Sequence, residues 1–92
     1  MIKTIEIICK PCHKCELLKE RIHNIIQYME LQKRIKIRYE FNHNTNILDA
    51  SKYGYAINRL PLLIINGNVE FVGHVKEEYI IRIKLEEINR EY

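Results

Sequence analysis

All three cysteines of this chain lie within one short stretch, ICKPCHKCELLKE at residues 8–20. Cys9, Cys12 and Cys15 follow one another at intervals of three, so two C-x-x-C spacings share the middle residue. Cysteines spaced in this way bind a metal ion, form a structural disulfide or exchange electrons with other thiols and disulfides. The elements around them indicate which of these chemistries the sequence favours.

Thiol–disulfide exchange requires an exposed thiolate and a second thiol that resolves the mixed disulfide. Cys12 directly precedes a predicted helix, and the partial positive charge at a helix N-terminus lowers the pKa of a cysteine placed there. His13 and Lys14 add positive charge that favours the thiolate. Cys15, three positions further on, is within bonding reach of Cys12. We therefore expect Cys12 to attack and Cys15 to resolve.

Cys9 differs from the other two cysteines because it ends the predicted first strand. A free cysteine in that position often acts as a small apolar side chain. The alternative is a third thiol with a resolving or regulatory role, three residues before Cys12. The sequence leaves both interpretations open.

A metal site is the main alternative to redox chemistry. The C-x2-C-x2-C run is similar to that of ferredoxins, but the fourth cysteine and the proline after it are missing. A zinc site needs a fourth ligand. His13 is adjacent to Cys12, and the other histidines lie far away in the sequence: His23, His43 and His74. We therefore predict no metal ligands, and keep as the alternative function a zinc or iron–sulfur carrier that uses Cys9, Cys12 and Cys15.

Length and composition limit the number of domains and the kinds of partner that we expect for this protein. The 92 residues predict one domain, 1–92, and a 47% hydrophobic content is enough for one core. Lys36 and Arg38 alternate with apolar residues as on a solvated strand face, so we expect no nucleic-acid partner. No apolar run is long enough for a bilayer. Glu6 interrupts the opening apolar segment, which therefore lacks the pattern of a secretion signal, and we expect the protein in the cytoplasm.

The hydrophobic pattern predicts the element order βαβαββα. Strands are indicated by short β-branched or alternating runs, helices by apolar residues three and four apart, and the hairpin by Asn66-Gly67 between two apolar runs. The predicted elements are a strand at 3–9, a helix at 13–34, a strand at 35–41, a short helix at 47–55, a hairpin at 60–73 and a helix at 75–92. A right-handed crossover through the first helix makes the first two strands parallel.

These motifs together resemble the thioredoxin superfamily. The resemblance rests on the C-x-x-C at a strand-to-helix junction, on the element order, and on YAINRLP (55–61) leading into a hairpin. IEIICKPCHKCELL (5–18) and LPLLIINGNVEFVGHV (60–75) look most like the short single-domain prokaryotic thioredoxin-like proteins, which are the size of glutaredoxins. The resemblance implies an α/β thioredoxin-like fold, with a four-stranded mixed sheet of order 2-1-3-4 and helices on both faces.

The resemblance also implies an activity and a set of site residues. The protein is expected to be a thiol–disulfide oxidoreductase that reduces protein disulfides, with a redox-active Cys12–Cys15 disulfide and no other cofactor. Pro61 matches the proline that is cis to its predecessor and lies against the active-site disulfide in this superfamily. Leu60 matches the residue whose backbone pairs with the substrate chain. The implied partners are disulfide-containing proteins and a thioredoxin-reductase-type electron donor, and the implied oligomeric state is a monomer.

Overall fold

The computed structural model describes residues 1–10, 13–73 and 75–90, which form four strands, two α-helices and two short 3₁₀ helices. In chain order they are β1 (Thr4–Ile8), α1 (His13–Lys33), β2 (Glu40–Asn44), a first 3₁₀ helix (Ile47–Tyr53), a second 3₁₀ helix (Ile57–Arg59), β3 (Leu62–Ile65), β4 (Asn68–Val72) and α2 (Glu78–Arg90). The predicted order is confirmed, with the middle helix in the tighter 3₁₀ form. His74 and the last two positions of the predicted closing helix, 91–92, lie outside the described residues.

The four strands form one mixed sheet in the order β2-β1-β3-β4. β1 and β2 are parallel, while β1 pairs with β3 and β3 pairs with β4 in the antiparallel direction. This confirms the fold class and the strand order that the resemblance implied. Because β3 lies in the middle of the sheet and is covered on both sides, all four of its residues are buried.

The two faces of the sheet are covered by different kinds of helix. Ile5, Ile7 and Cys9 of the first strand region face α1 and α2, in a cluster that also contains Ile81 and Leu85. On the other face, Ile8 packs with residues of β3 and of the 3₁₀ segment. Residues that alternate along a strand point to opposite faces. The predicted covering of both faces is therefore confirmed, with both α-helices on one side.

The long helix α1 follows the apolar stripe that the sequence predicts. All five stripe residues are buried: Leu18, Ile22, Ile25, Ile26 and Met29. The helix ends at Lys33, and Arg34 takes a positive φ of 53°. Among the helices of the described ranges, none combines the length and apolar character needed to cross a bilayer.

The predicted second strand at 35–41 is wrong in its bounds. The strand begins at Glu40, whose N–H donates to the carbonyl of Lys3, and it continues to Asn44. Residues 35–39 are not a strand, and Ile35 is 46% exposed. Ile37, Tyr39 and Phe41 do pack in the core cluster, but the strand bounds are set by pairing with β1, which extends only from Thr4 to Ile8. His43, which follows the predicted strand, therefore lies within the observed one.

Candidate functional site

The cysteines lie where β1 ends and α1 begins. Cys9 follows the last residue of β1 and continues its pairing, because its N–H donates to the carbonyl of Asn44 over 3.1 Å. Cys15 lies in the first turn of α1, which begins at His13. The two sulfurs are joined in a disulfide, with Cα atoms 6.2 Å apart. Both residues are buried, Cys9 at 2% and Cys15 at 0% exposure.

The observed disulfide differs from the pair that the resemblance implied. Cys12 lies outside the described residues, so its attacking role and its bond with Cys15 stay predictions. Cys9 packs in the core and is bonded to Cys15, so it is not a free cysteine in this structure, and its resolving or regulatory role stays a prediction. The side chain of His13 lies outside the described residues as well, and its support of the thiolate stays a prediction.

Two polar atoms lie close to the disulfide. The carbonyl oxygen of Lys10 is 2.6 Å from Cys15 Sγ, and His43 Nε2 is 3.4 Å from Cys9 Sγ. The two sulfurs and a nitrogen of His43 all lie within 4.8 Å of one another. The structure therefore brings together two cysteine sulfurs and an imidazole, contributed by the end of β1, by α1 and by β2.

His43 is a site residue that the sequence analysis missed. It is the partner of Ile7 in the parallel register, so its side chain lies on the same face as Ile7 and Cys9. Distance in the sequence had excluded it as a ligand. The sequence does contain a signal for His43. The alternating pattern that includes Phe41 reaches His43 when it is continued by two residues. Whether the strand continues as far as His43 depends on its pairing with β1.

A cleft of about 510 Å³ opens beside the disulfide. We call it the cysteine cleft, and it is lined by Cys9, Lys10, Lys14, Cys15, Ile57, Asn58, Leu60 and Pro61. The antiparallel register pairs Ile8 with Leu62, and continuing it by one residue places Pro61 opposite Cys9. Pro61 is buried, and the Leu60–Pro61 bond is cis, as predicted. Pro61 and Cys15 line the same cleft, and the predicted position of Pro61 beside Cys12 stays a prediction because Cys12 lies outside the described residues.

The backbone of Leu60 is only partly available to a substrate strand. The resemblance implied that the backbone of Leu60 pairs with the substrate chain. Its N–H instead donates to the carbonyl of Ile57 over 3.3 Å, closing the second 3₁₀ helix. The carbonyl of Pro61 accepts from the N–H of Gly73. Of the Leu60 pair, only the carbonyl remains as a candidate for pairing with an incoming chain.

A family model described as a thioredoxin domain matches residues 3–86 of the 92. The chain belongs to the thioredoxin family. No curated protein and no solved structure matches it. The thioredoxin domain and the Cys9–Cys15 disulfide together support thiol–disulfide redox chemistry.

The end of β2 is held in this thioredoxin domain by a network of polar side chains. Glu6 accepts hydrogen bonds from Asn42, Asn44 and the hydroxyl of Tyr53. Burial, followed by the hydrogen bond to Glu6, raises the pKa of Tyr53 above its usual value. Asn44 also donates to Asp49, and this hydrogen bond lowers the pKa of the Asp49 carboxyl. The network flanks His43 in sequence and fixes the strand from which it projects.

Proposed function

We propose that this thioredoxin-family protein reduces disulfides in other proteins by dithiol exchange, with Cys12 attacking and Cys15 resolving. The observation that carries the proposal is a Cys9–Cys15 disulfide that lines a cleft together with Pro61. A cysteine pair in a purely structural disulfide has no need of a cleft. Thiol exchange does need one, because the attacking sulfur, the two substrate sulfurs and the resolving sulfur must approach one another.

The bond to Cys9 suggests an order for the exchange. The Cys12 thiolate attacks a substrate disulfide, forms a mixed disulfide and releases one substrate thiolate. Cys15 then attacks the Cys12 sulfur, forming Cys12–Cys15 and releasing the second substrate thiolate. Cys9 next attacks the Cys15 sulfur, forming Cys9–Cys15 and regenerating the Cys12 thiolate. Two electrons pass to the substrate, each step exchanges one S–S bond for another, and an external dithiol restores the enzyme.

The walls of the cysteine cleft suit an extended peptide. Leu60 and Ile57 provide apolar surface, and the Leu60 carbonyl is placed to accept a hydrogen bond from a substrate N–H. Lys14 is exposed beside the cleft and supplies positive charge near the exchanging sulfurs. These features favour a disulfide within a protein chain over a small disulfide, because only the protein chain offers backbone groups to pair.

The proposal includes the partners and location that the sequence led us to expect. The substrates are disulfide-containing proteins, and a thioredoxin-reductase-type donor supplies electrons in the cytoplasm. We propose that the protein acts as a monomer, without nucleic acid or membrane partners. It uses its own disulfides as the redox group.

Insulin reduction with dithiothreitol as electron donor tests the activity. We expect the wild-type protein to accelerate precipitation of the insulin B chain, and Cys12→Ser to abolish the acceleration. Cys15→Ser is expected to accumulate a mixed disulfide, which mass spectrometry of the non-reduced complex detects. Cys9→Ser is expected to retain most of the activity, because dithiothreitol can reduce the Cys12–Cys15 disulfide directly when the last exchange step is missing.

Two results would contradict the assigned roles. One is full activity of Cys12→Ser. The other is complete loss in Cys9→Ser while Cys12 and Cys15 remain, which would make Cys9 an obligatory member of the exchange.

A further inference from the structure

The imidazole beside the cysteine pair has no role in the proposed exchange. His43 is half-buried, and its Nε2 lies 3.4 Å from Cys9 Sγ. With Cys15 it completes a set of two sulfurs and one nitrogen in which the three donor atoms lie within 4.8 Å of one another. Two cysteines and a histidine are ligands that zinc commonly takes.

We propose that the reduced protein binds one zinc-class divalent ion through Cys9 Sγ, Cys15 Sγ and His43 Nε2, and that formation of the Cys9–Cys15 disulfide releases it.

The distances agree with a tetrahedral ion. Zn–S bonds of about 2.3 Å and Zn–N bonds of about 2.0–2.1 Å, set at tetrahedral angles, separate sulfur and nitrogen by about 3.5 Å. The observed separation of Cys9 Sγ and His43 Nε2 is 3.4 Å. Two thiolates on one tetrahedral zinc lie about 3.8 Å apart. The Cα atoms of Cys9 and Cys15 are 6.2 Å apart, which leaves room for that separation.

The backbone holds the three ligand residues in fixed positions. His43 and Ile7 are register partners in paired parallel strands, and the N–H of Cys9 continues the same ladder by bonding Asn44. Cys15 is held by the first turn of α1. Ligands on rigid, hydrogen-bonded elements are more precisely placed than ligands on loops. The site therefore needs little backbone rearrangement to accept an ion.

Access and charge also favour a soft cation. The cysteine cleft reaches both sulfurs and gives an ion a path to buried ligands. Two thiolates cancel the charge of a divalent ion, which offsets its repulsion by Lys10 and Lys14 in the wall of the cleft. Thiolate and imidazole ligands select zinc over magnesium or calcium, which prefer oxygen. The three ligands leave one tetrahedral position for water or for a further thiolate.

Oxidation and metal release are one balanced step. A small disulfide of the oxidised dithiothreitol class takes two electrons from the two thiolates and two protons from solvent. The Cys9–Cys15 bond forms, the small disulfide becomes a dithiol, and the divalent ion leaves. The disulfide form shown by the structure is then the metal-free state, and the protein can bind zinc only after reduction.

Cobalt binding to the reduced full-length protein tests this site. Cobalt(II) is the probe because its visible bands report tetrahedral geometry and its near-ultraviolet charge-transfer bands report thiolate ligands. We expect a tetrahedral spectrum with one ion per chain, displacement by zinc, and no binding after oxidation to the disulfide. Bound zinc should also protect Cys9 and Cys15 of the wild-type protein from alkylation, a readout that needs no variant.

Ligand variants identify the donors. His43→Gln and Cys9→Ser should each weaken zinc affinity by more than the ~10–100-fold that losing a hydrogen-bond partner of a ligand costs. His23→Gln is the matched control, because His23 is an exposed histidine that packs against Phe41 on the neighbouring part of β2. Its affinity should equal that of the wild type. Wild-type affinity in His43→Gln, or loss of binding in Cys12→Ser but not in Cys9→Ser, would overturn the proposal.

Discussion

The two ends of the sheet contrast in how they are closed. At the cysteine end, β1 and β2 finish at Ile8 and Asn44, and the cysteine cleft opens beside them. At the hairpin end, the Asn66 side-chain oxygen accepts from the N–H groups of Lys3 and Thr4, and its amide donates to the carbonyl of Met1. At the cysteine end, side chains line an open cleft. At the hairpin end, the polar side chain of Asn66 makes hydrogen bonds to the backbone.

This difference has a physical reason. The carboxyl ends of adjacent parallel strands bring side chains together without a connecting turn, so a cleft can form between the loops that follow. An antiparallel hairpin closes its end with a tight turn, which here also ties down the start of the chain. We therefore expect substitutions at the cysteine end to change reactivity and substitutions at the hairpin end to change stability.

The largest expected effect concerns which thiol is free in the oxidised protein. The chain has three cysteines, and a Cys9–Cys15 bond leaves one thiol. Alkylation of the oxidised protein followed by peptide mass spectrometry should label Cys12 alone, while the reduced, denatured protein should take three labels. In oxidised Cys9→Ser the remaining pair should close, leaving no thiol to label. Labelling of Cys9 instead of Cys12 in the wild type would show that Cys12–Cys15 is the resting disulfide.

At the hairpin end, Asn66→Ala should lower the free energy of unfolding by about 3 kcal/mol, near the low end of the summed contributions because the three hydrogen bonds are exposed. The change removes three hydrogen bonds, each worth about 0.5–1.5 kcal/mol, and forces alanine into a left-handed conformation that costs about 1–2 kcal/mol. The positive φ of Asn66 is 53°. Urea unfolding measures the change, and insulin reduction per folded molecule should stay constant.

Asn66→Gly separates the two contributions, because glycine tolerates the positive φ but cannot make the side-chain hydrogen bonds. It should lose less stability than Asn66→Ala. Equal losses in the two variants would mean that conformational strain contributes nothing.

Pro61→Ala should slow exchange with protein disulfides several-fold more than exchange with small ones. Pro61 lies opposite Cys9 in the continued register and lines the cysteine cleft. Alanine would add an N–H donor to the wall where a substrate chain docks, without altering the thiols. The ratio of rates with insulin and with a small aromatic disulfide measures the effect. If both rates slowed equally, Pro61 would act on the reactivity of the thiols rather than on docking of the substrate chain.

The smallest expected effect concerns Asp49 in the network beside His43. The hydrogen bond from Asn44, followed by that from Lys52, lowers the pKa of the Asp49 carboxyl below 3.8. A carboxyl whose pKa is lower in the folded than in the unfolded state adds stability above its unfolded pKa and loses it as the pH falls. The wild type should therefore exceed Asp49→Asn slightly in stability at pH 7. Urea unfolding at pH 7 and near pH 3 should show the difference shrinking in acid, and a growing difference would contradict the assignment.

The parts of the fold that local chemistry controls were predictable. The Asn66-Gly67 turn was expected because both residues accept the positive φ that a two-residue hairpin turn requires, and the structure places them there with φ of 53° and 83°. The short helix after β2 is likewise capped locally, because the Asn46 side chain accepts from the N–H of Leu48. The C-x-x-C at the start of α1 indicated redox chemistry, and this signal is also local because its residues are neighbours in the sequence.

The tertiary structure decided what depends on residues far apart in the sequence. Pairing with β1 determined where β2 begins and ends, and so brought His43 beside Cys9, 34 positions earlier. The tertiary structure also contains the Cys9–Cys15 disulfide, a pairing that the spacing of the three cysteines alone leaves open. The sequence by itself determined the helices, the hairpin turn and the kind of chemistry, because these follow from neighbouring residues. Which residues form the site depends on the strand register, and only the packed sheet defines that register.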